Sequence, residues 1–290
     1  MLSVSALTAM RAHAQEARRA GRRIGFVPTM GALHAGHLAL VTAARARSDI
    51  VVLSVFVNPL QFGPGEDFAR YPRDLQRDTT LAAAGGVDVL WAPSRDAIYP
   101  EAPQVTVVPG PAGDRLEGAI RPGHFGGVLT VVLKLFGVVQ PDVAVFGRKD
   151  FQQAALVRRM VRDLNLPIDL VVSPTIREAD GLALSSRNVY LDPAARAAAA
   201  ALPRALACGV EAFRGGERDA GALVGGARRV LEAERGLTVD YAACVADDLE
   251  PQVSADERSV LVVAARAAGT RRIDNVVLGE GLEEDIRVAG

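Results

Sequence analysis

Lysine is nearly absent from this 290-residue chain: only Lys134 and Lys149 stand among 33 basic residues, the rest being arginine. Where lysine is this scarce, each one is a candidate for a task that suits a compact, mobile ammonium better than arginine's rigid fork. Cysteine is scarce too. Cys208 and Cys244 lack metal-ligand spacing, and a reduced, intracellular protein is the simplest expectation. Net charge is small, −1 at neutral pH, so nothing attracts nucleic acid or an anionic membrane in general. No apolar run reaches the length of a membrane span, and the N-terminus lacks a cationic start followed by a continuous apolar core. The expectation is a cytoplasmic protein with no nucleic-acid or membrane partner, in which any anion is bound by local design. The chain also lacks G-x-G-x-x-G after its first strand-like run and an acidic residue at the end of its second, which argues against a Rossmann dehydrogenase.

What is present is 49% hydrophobic residues, enough for a packed core and, at this length, for two domains. An amphipathic helix is expected over Leu2–Ala20, strands over Ile24–Val27, Ile50–Val57, Val87–Ala92, Val105–Val108, Val143–Phe146 and Ile168–Val172, and helices over Val128–Gln140 and Phe151–Asn165. Strands alternating with helices predict an α/β fold, a Rossmann-like doubly wound parallel sheet over residues 1–175. Its ligands belong at the carboxyl ends of the strands. Residues 176–290 read as a smaller α+β domain. It has helices over Pro193–Cys208 and Ala220–Arg235, then strands over Val239–Val245, Ser259–Ala265 and Arg271–Leu278.

The most informative stretch is Ile24–Leu40, I-G-F-V-P-T-M-G-A-L-H-A-G-H-L-A-L. Pro28 and Gly31 end a buried-strand run, and helical spacing resumes at Leu38, so His34 and His37 fall on the first turn of a helix. Backbone N–H groups there have no intrahelical partner, which makes the place suited to a phosphate. Gly36 between the histidines lets a phosphate or a flat ring approach the backbone. An isolated H-x-x-H is more often a surface pair. Leu60–Asp78 reads as a loop over a site followed by a helix, and the Gly-rich Arg121–Gly127 and Asp180–Asn188 read as loops.

The histidine stretch resembles the H-x-G-H signature of the nucleotidyltransferase superfamily. F-V-N-P-L-Q-F-G at Phe56–Gly63, Y-P-R-D at Tyr71–Asp74, R-P-G-H-F-G-G at Arg121–Gly127, F-G-R-K-D-F-Q-Q at Phe146–Gln153 and D-G-L-A-L-S-S-R-N at Asp180–Asn188 narrow the resemblance to the pantothenate synthetase family. The resemblance implies condensation of pantoate with β-alanine, driven by ATP with Mg²⁺, through a non-covalent pantoyl adenylate. It also implies a homodimer, and a second domain that closes over the site with a mobile Ser-Ser-Arg loop.

Carried onto this chain, it implies catalytic roles for His34, His37, Lys149 and Arg187. ATP would meet Pro28, Met30, Gly31, His34, Gly36, His37, Gly147, Lys149, Asp150, Ile176, Leu184, Ser185, Ser186 and Arg187. Pantoate and β-alanine would meet Thr29, Met30, Gln61, Arg121 and Gln153, with Asp78 the candidate metal ligand. Arg121 and His124 are anion-binding or supporting candidates, with capping an equal alternative for both. Asp150 either orients Lys149 or caps the next helix, and Lys134, on an apolar helix, reads as a snorkelling residue. Arg148 stands where the family usually has Glu, which reads as a surface-facing change that keeps activity. An adenylyltransferase that stops after AMP transfer would share the histidines but leave Gln61 and Gln153 without a role. A pure interaction protein would leave the whole phosphate grouping unexplained.

Overall fold

In a computed structural model, residues 1–288 are described, and they divide into two compact units. The first comprises Met1–Gly147 and Leu156–Ser173, the second Arg148–Ala155 and the chain from Pro174 onward. A single cut at residue 175 would put Arg148–Ala155 with the first unit, whereas the contacts group it with the second.

The first unit is built on β1 (Leu2–Val4), α1 (Leu7–Arg19), β2 (Ile24–Thr29), α2 (Ala35–Arg45), β3 (Ile50–Val55), α3 (Leu75–Ala84) and β4 (Val89–Trp91). It continues with the short α4 (Arg95–Ile98) and α5 (Glu117–Ile120), then α6 (His124–Val139), β5 (Val143–Gly147), most of α7 (Phe151–Asp163) and β6 (Asp169–Ser173). The six strands form one parallel sheet in the order β1-β4-β3-β2-β5-β6. Runs such as I-V-V-L-S-V in β3 are apolar almost throughout because a parallel sheet is covered on both faces. Val27, Leu53, Leu90 and Val145 pack with Val41 and Ala44 of α2 and Ala82 of α3 in one core cluster. Strand order reverses at β2, which has β3 on one side and β5 on the other. The β2–β5 ladder spans only Gly25 and Phe26, so the two strands part before Pro28, a residue with no N–H to donate. A reversal of strand order is where such sheets bind ligands, at the carboxyl ends.

The second unit holds β7 (Ile176–Arg177), α8 (Pro193–Ala199), α9 (Ala201–Arg214), α10 (Ala220–Glu232), β8 (Leu237–Val245), β9 (Val260–Ala267), β10 (Thr270–Val277) and β11 (Ile286–Arg287). β10-β9-β8 is an antiparallel sheet, and β11 pairs in parallel with β7. Its core sets Leu202, Leu206, Val210 and Phe213 of α9 and Leu223 and Leu231 of α10 against Leu261, Val263 and Ala265 of β9.

Four expectations are corrected. The first residues of the expected Leu2–Ala20 helix form β1, an edge strand paired with β4, because the three-residue strand needs a partner distant in sequence. Val105–Val108 is not a strand. Val105 and Val108 are 87% and 82% exposed, and β-branched residues make a strand only against a neighbour. The R-P-G-H-F-G-G segment is not a loop throughout, since α6 begins at His124. Finally, Pro193–Cys208 is two helices parted at Ala200, a break that an alanine run does not announce.

Candidate active site

The histidine turn leaves the carboxyl end of β2. His34 is the N-cap of α2 and His37 its third residue, and the two rings make a reciprocal capping box. His34 Nδ1 accepts the Gly36 N–H at 3.1 Å, and His37 Nδ1 accepts the His34 N–H at 3.3 Å. The rings lie 4.1 Å apart between centroids. With Nδ1 accepting on both rings, the ring proton sits on Nε2, beside the positive end of α2. The backbone thus fixes the tautomer of both rings.

The turn itself is strained and braced. Gly31 and Ala32 have φ of +85° and +50°, consecutive left-handed residues that are unfavourable for alanine. Asp78 of α3, 1% exposed, holds them in place by accepting the Ala32 N–H at 2.9 Å and the Leu33 N–H at 2.7 Å. A Cβ on Gly31 would come 2.8 Å from Asp78 Oδ2, so the glycine is needed for this approach as well as for its φ. Asp78 was the expected metal ligand. Its oxygens instead serve the backbone, and it is a structural brace of the signature turn. Thr29 is committed similarly: its hydroxyl donates to Ser54 O at 2.6 Å and accepts the Gly31 N–H at 3.2 Å.

Beside this turn the first unit assembles Gln61, Met30, Arg121 and His124. Gln61 is buried, with Nε2 2.9 Å from Met30 Sδ and Oε1 accepting from Asn58 Nδ2 at 3.1 Å. Asn58, which the sequence did not single out, also donates to Gly127 O and accepts from the Tyr99 hydroxyl at 3.0 Å. Burial pushes the Tyr99 hydroxyl up to about 12, so it stays a donor. Arg121 forks onto Glu66 at 2.7 and 2.6 Å and donates to Gln61 O at 3.1 Å. Burial pushes Glu66 up, but the hydrogen bonds and charge of Arg121 outweigh it and leave the carboxyl below its ordinary value. The anion of Arg121 is therefore Glu66, and the guanidinium supports the Gln61 backbone rather than standing open to pantoate.

His124 Nδ1 donates to Gln61 O at 2.8 Å, while its Nε2 accepts from Arg121 Nη1 at 3.1 Å. Burial, reinforced by the Arg121 charge, lowers His124 to about 4, so it is a neutral strut and not an anion-binding cation. Gly127 lies against the same backbone: a Cβ there would fall 2.1 Å from Leu60 O. Close approach explains that glycine, not a loop. Lys134 is exposed on α6 with its ammonium 5.2 Å from the Tyr99 ring centroid, a cation–π contact at the rim.

In the second unit Lys149 lies in a 3-10 turn, Arg148–Asp150, that follows β5 and Gly147 in the chain. Its ammonium is 3.4 Å from Asp150 Oδ1, so Asp150 meets the lysine as one of its two expected roles required. Gln153 is half-buried on the first turn of α7. Ile176 and Leu184 are joined backbone to backbone at 2.8 Å. Ser185 caps the 3-10 turn Ser186–Tyr190 by accepting the Arg187 N–H at 3.3 Å, and Arg272 Nη2 donates to Arg187 O at 2.6 Å. Arg148 is not surface-facing. Its side chain is 13% exposed and paired with Glu280 and with Asp285 at 3.0 Å. Behind it Arg177, wholly buried, pairs with Asp274 and Asp285, each at 2.7 Å. Burial works against that guanidinium, but the two carboxylates hold its pKa above the ordinary value. The sequence reading missed Arg177, Asp274, Asn275 and Asp285. The one available signal was charge inside the strand run R-R-I-D-N-V-V-L.

Among the described residues, no group of three His, Cys, Asp or Glu is placed to hold a metal ion. With Asp78 committed to the backbone, these residues do not form a protein cage for Mg²⁺. The ion fits only as one carried on phosphate oxygens and water.

The family model described as pantoate-beta-alanine ligase matches residues 3–277. A pantothenate synthetase of Geobacillus kaustophilus is 51% identical over 279 residues, 96% of this chain and 93% of that protein. The crystal structure of pantothenate synthetase from Thermus thermophilus superposes with a TM-score of 0.90 at 48% identity, covering 96% of this chain and 99% of the other. That of a Francisella tularensis pantoate-beta-alanine ligase, complexed with β-γ ATP and β-alanine, gives 0.79 at 32% identity over 97% and 99%. With matches that run nearly end to end at about half identity, the chain belongs to the pantoate–β-alanine ligase family.

Proposed function

We infer that this chain is a ligase that condenses pantoate with β-alanine at the expense of ATP, giving pantothenate, AMP and pyrophosphate. The pantoate carboxylate attacks the α-phosphorus of ATP, the bond from that phosphorus to the pyrophosphate oxygen breaks, and pantoyl adenylate forms. The β-alanine amine then attacks the acyl carbon, AMP leaves, and the amine's surplus proton passes to solvent or buffer. The first step brings a carboxylate against a polyphosphate, so positioning and electrostatic stabilisation carry it.

The observation that carries the reading is the imidazole capping box. It presents two tautomer-fixed Nε2–H donors at a helix N-terminus, at the reversal point of a parallel sheet. We assign His34 and His37 to phosphate oxygens, Lys149 to the charge that shifts onto leaving pyrophosphate, and Ser185, Ser186 and Arg187 to the polyphosphate. Neutral amides suit the acid because they bind it without pairing away its nucleophilicity, and on this ground Gln61 and Gln153 are assigned to pantoate. Mg²⁺ enters with the nucleotide, adding charge neutralisation on the phosphates. A homodimer in the cytoplasm completes the proposal, on the family resemblance.

The test is pyrophosphate release with pantoate and ATP alone, followed by addition of β-alanine. Pyrophosphate should appear in step with pantoate, and pantothenate only after the amine. Release that requires β-alanine from the start would overturn the adenylate order.

A further inference from the structure

The Arg148–Asp150 turn is three residues long, yet it is held by an unusual amount of polar structure, all within the second unit. The Asn275 side chain on β10 spends both its N–H donors on this turn: Nδ2 bonds Arg148 O at 2.9 Å and Lys149 O at 3.1 Å. The Arg148 side chain is drawn the same way, to Glu280 and to Asp285 Oδ1. Asp285 Oδ2 accepts from Arg177 Nε at 2.7 Å, and Arg177 forks onto Asp274, whose Oδ1 takes the Asn275 N–H at 2.8 Å. The contacts thus close a ring from Asn275 through the Lys149 turn, Asp285, Arg177 and Asp274 back to Asn275.

Asn275 is 3% exposed, and its Oδ1 meets no donor among the described residues. A buried acceptor without a partner costs stability, so packing alone would favour an apolar residue of this shape. What asparagine supplies that no apolar residue can is a pair of donors aimed at the two carbonyls flanking Lys149. The Arg148 ion pairs stop the same turn from rotating, and they cancel a second cation that would otherwise stand next to the lysine.

We propose that Asn275 and Arg148 are positioning residues for Lys149, locking the backbone of its turn so that the ammonium is delivered to the phosphate in one place. The inference rests on the phosphate role assigned to Lys149 above. Misplacement of a catalytic group by a fraction of an ångström is felt in rate before it is felt in binding.

The experiment is pantoate-dependent ATP–pyrophosphate exchange with the full chain, with thermal unfolding measured alongside. Asn275→Ala and Arg148→Met should each lower kcat about tenfold and leave the pantoate KM within about twofold. Arg148→Lys, which keeps a cation toward Asp285, should restore most of the rate. In a Lys149→Ala background neither substitution should slow exchange further, because residues acting through one group are not additive. Equal slowing with and without Lys149, or slowing only in proportion to lost folded protein, overturns the inference and leaves the Lys149 role standing. Full exchange in Lys149→Ala alone removes that role and the inference with it. If Asn275→Ala does not fold, Arg148→Met reads the same coupling with Asn275, Asp285 and Arg177 in place.

Discussion

The two turns given the phosphate chemistry are stiffened by different means. The histidine turn of the first unit is held by hydrogen bonds between imidazoles, one carboxylate and its own backbone: Asp78 takes two N–H groups, and the rings cap the helix they stand on. The Lys149 turn of the second unit is held by side chains from elsewhere, an amide and a chain of arginine–carboxylate pairs. The first brace draws on one distant side chain, Asp78, whose buried carboxylate is satisfied by backbone N–H groups. The second pairs buried charges of both signs, an arrangement stable only while every partner is present.

That contrast sets the order of what substitution should do. Removing one member of the buried charge network should have the largest effect. Arg177→Met takes the cation from buried Asp274 and leaves Asp285 with Arg148, and a loss of about 3–5 kcal/mol is expected in urea unfolding. A loss below about 1 kcal/mol would show that this network is not what stiffens the second unit.

The first unit has its own weakness, in pH. His124 is neutral in the fold, with its pKa held at about 4 against an ordinary 6.5, chiefly by burial and then by Arg121. A depressed value means that the unfolded chain binds the proton first. The stabilisation is complete above pH 6.5 and is lost as pH falls toward about 4, up to about 3 kcal/mol in all. Glu66, also lowered, contributes with the same sign below its ordinary 4.5. His124→Asn, which keeps a donor for Gln61 O, should flatten the stability profile between pH 6.5 and 4.5. An unchanged slope would mean another group titrates there.

The catalytic comparison comes next. On the role assigned to it above, His37→Ala removes a donor to developing charge, and exchange should fall about 100-fold. Its loss from the capping box should cost only about 1 kcal/mol in stability. Wild-type exchange would take His37 out of the chemistry and leave it a cap. The smallest effect is expected at Gln153→Ala, a rise of about tenfold in pantoate KM with ATP affinity held, worth roughly one lost polar contact. Equal weakening of both substrates would count against its assignment to pantoate.

The position of the histidine turn was legible because each cue in it is local: a strand-breaking proline, a left-handed glycine and two histidines three apart at a helix start. Most strands and helices of the sheet domain were legible for the same reason, through apolar runs with one period or the other. The misread parts depended on partners. β1 exists because β4 lies beside it, Val105–Val108 is not a strand because its neighbour is the α6 helix, with Val107 N–H on the Thr130 hydroxyl, and Gly127 is small because the Leu60 carbonyl presses on it.

By itself, then, the sequence determined the parallel α/β domain, the place of the histidine turn and the family, since hydrophobic period and motif spacing are written along the chain. Only the tertiary structure decided what Asp78, Arg121, His124 and Arg148 do. A charged or titratable side chain takes its role from the groups that surround it after burial. Those groups, 45 residues away for Asp78 and 137 for Arg148, have no signature in sequence order.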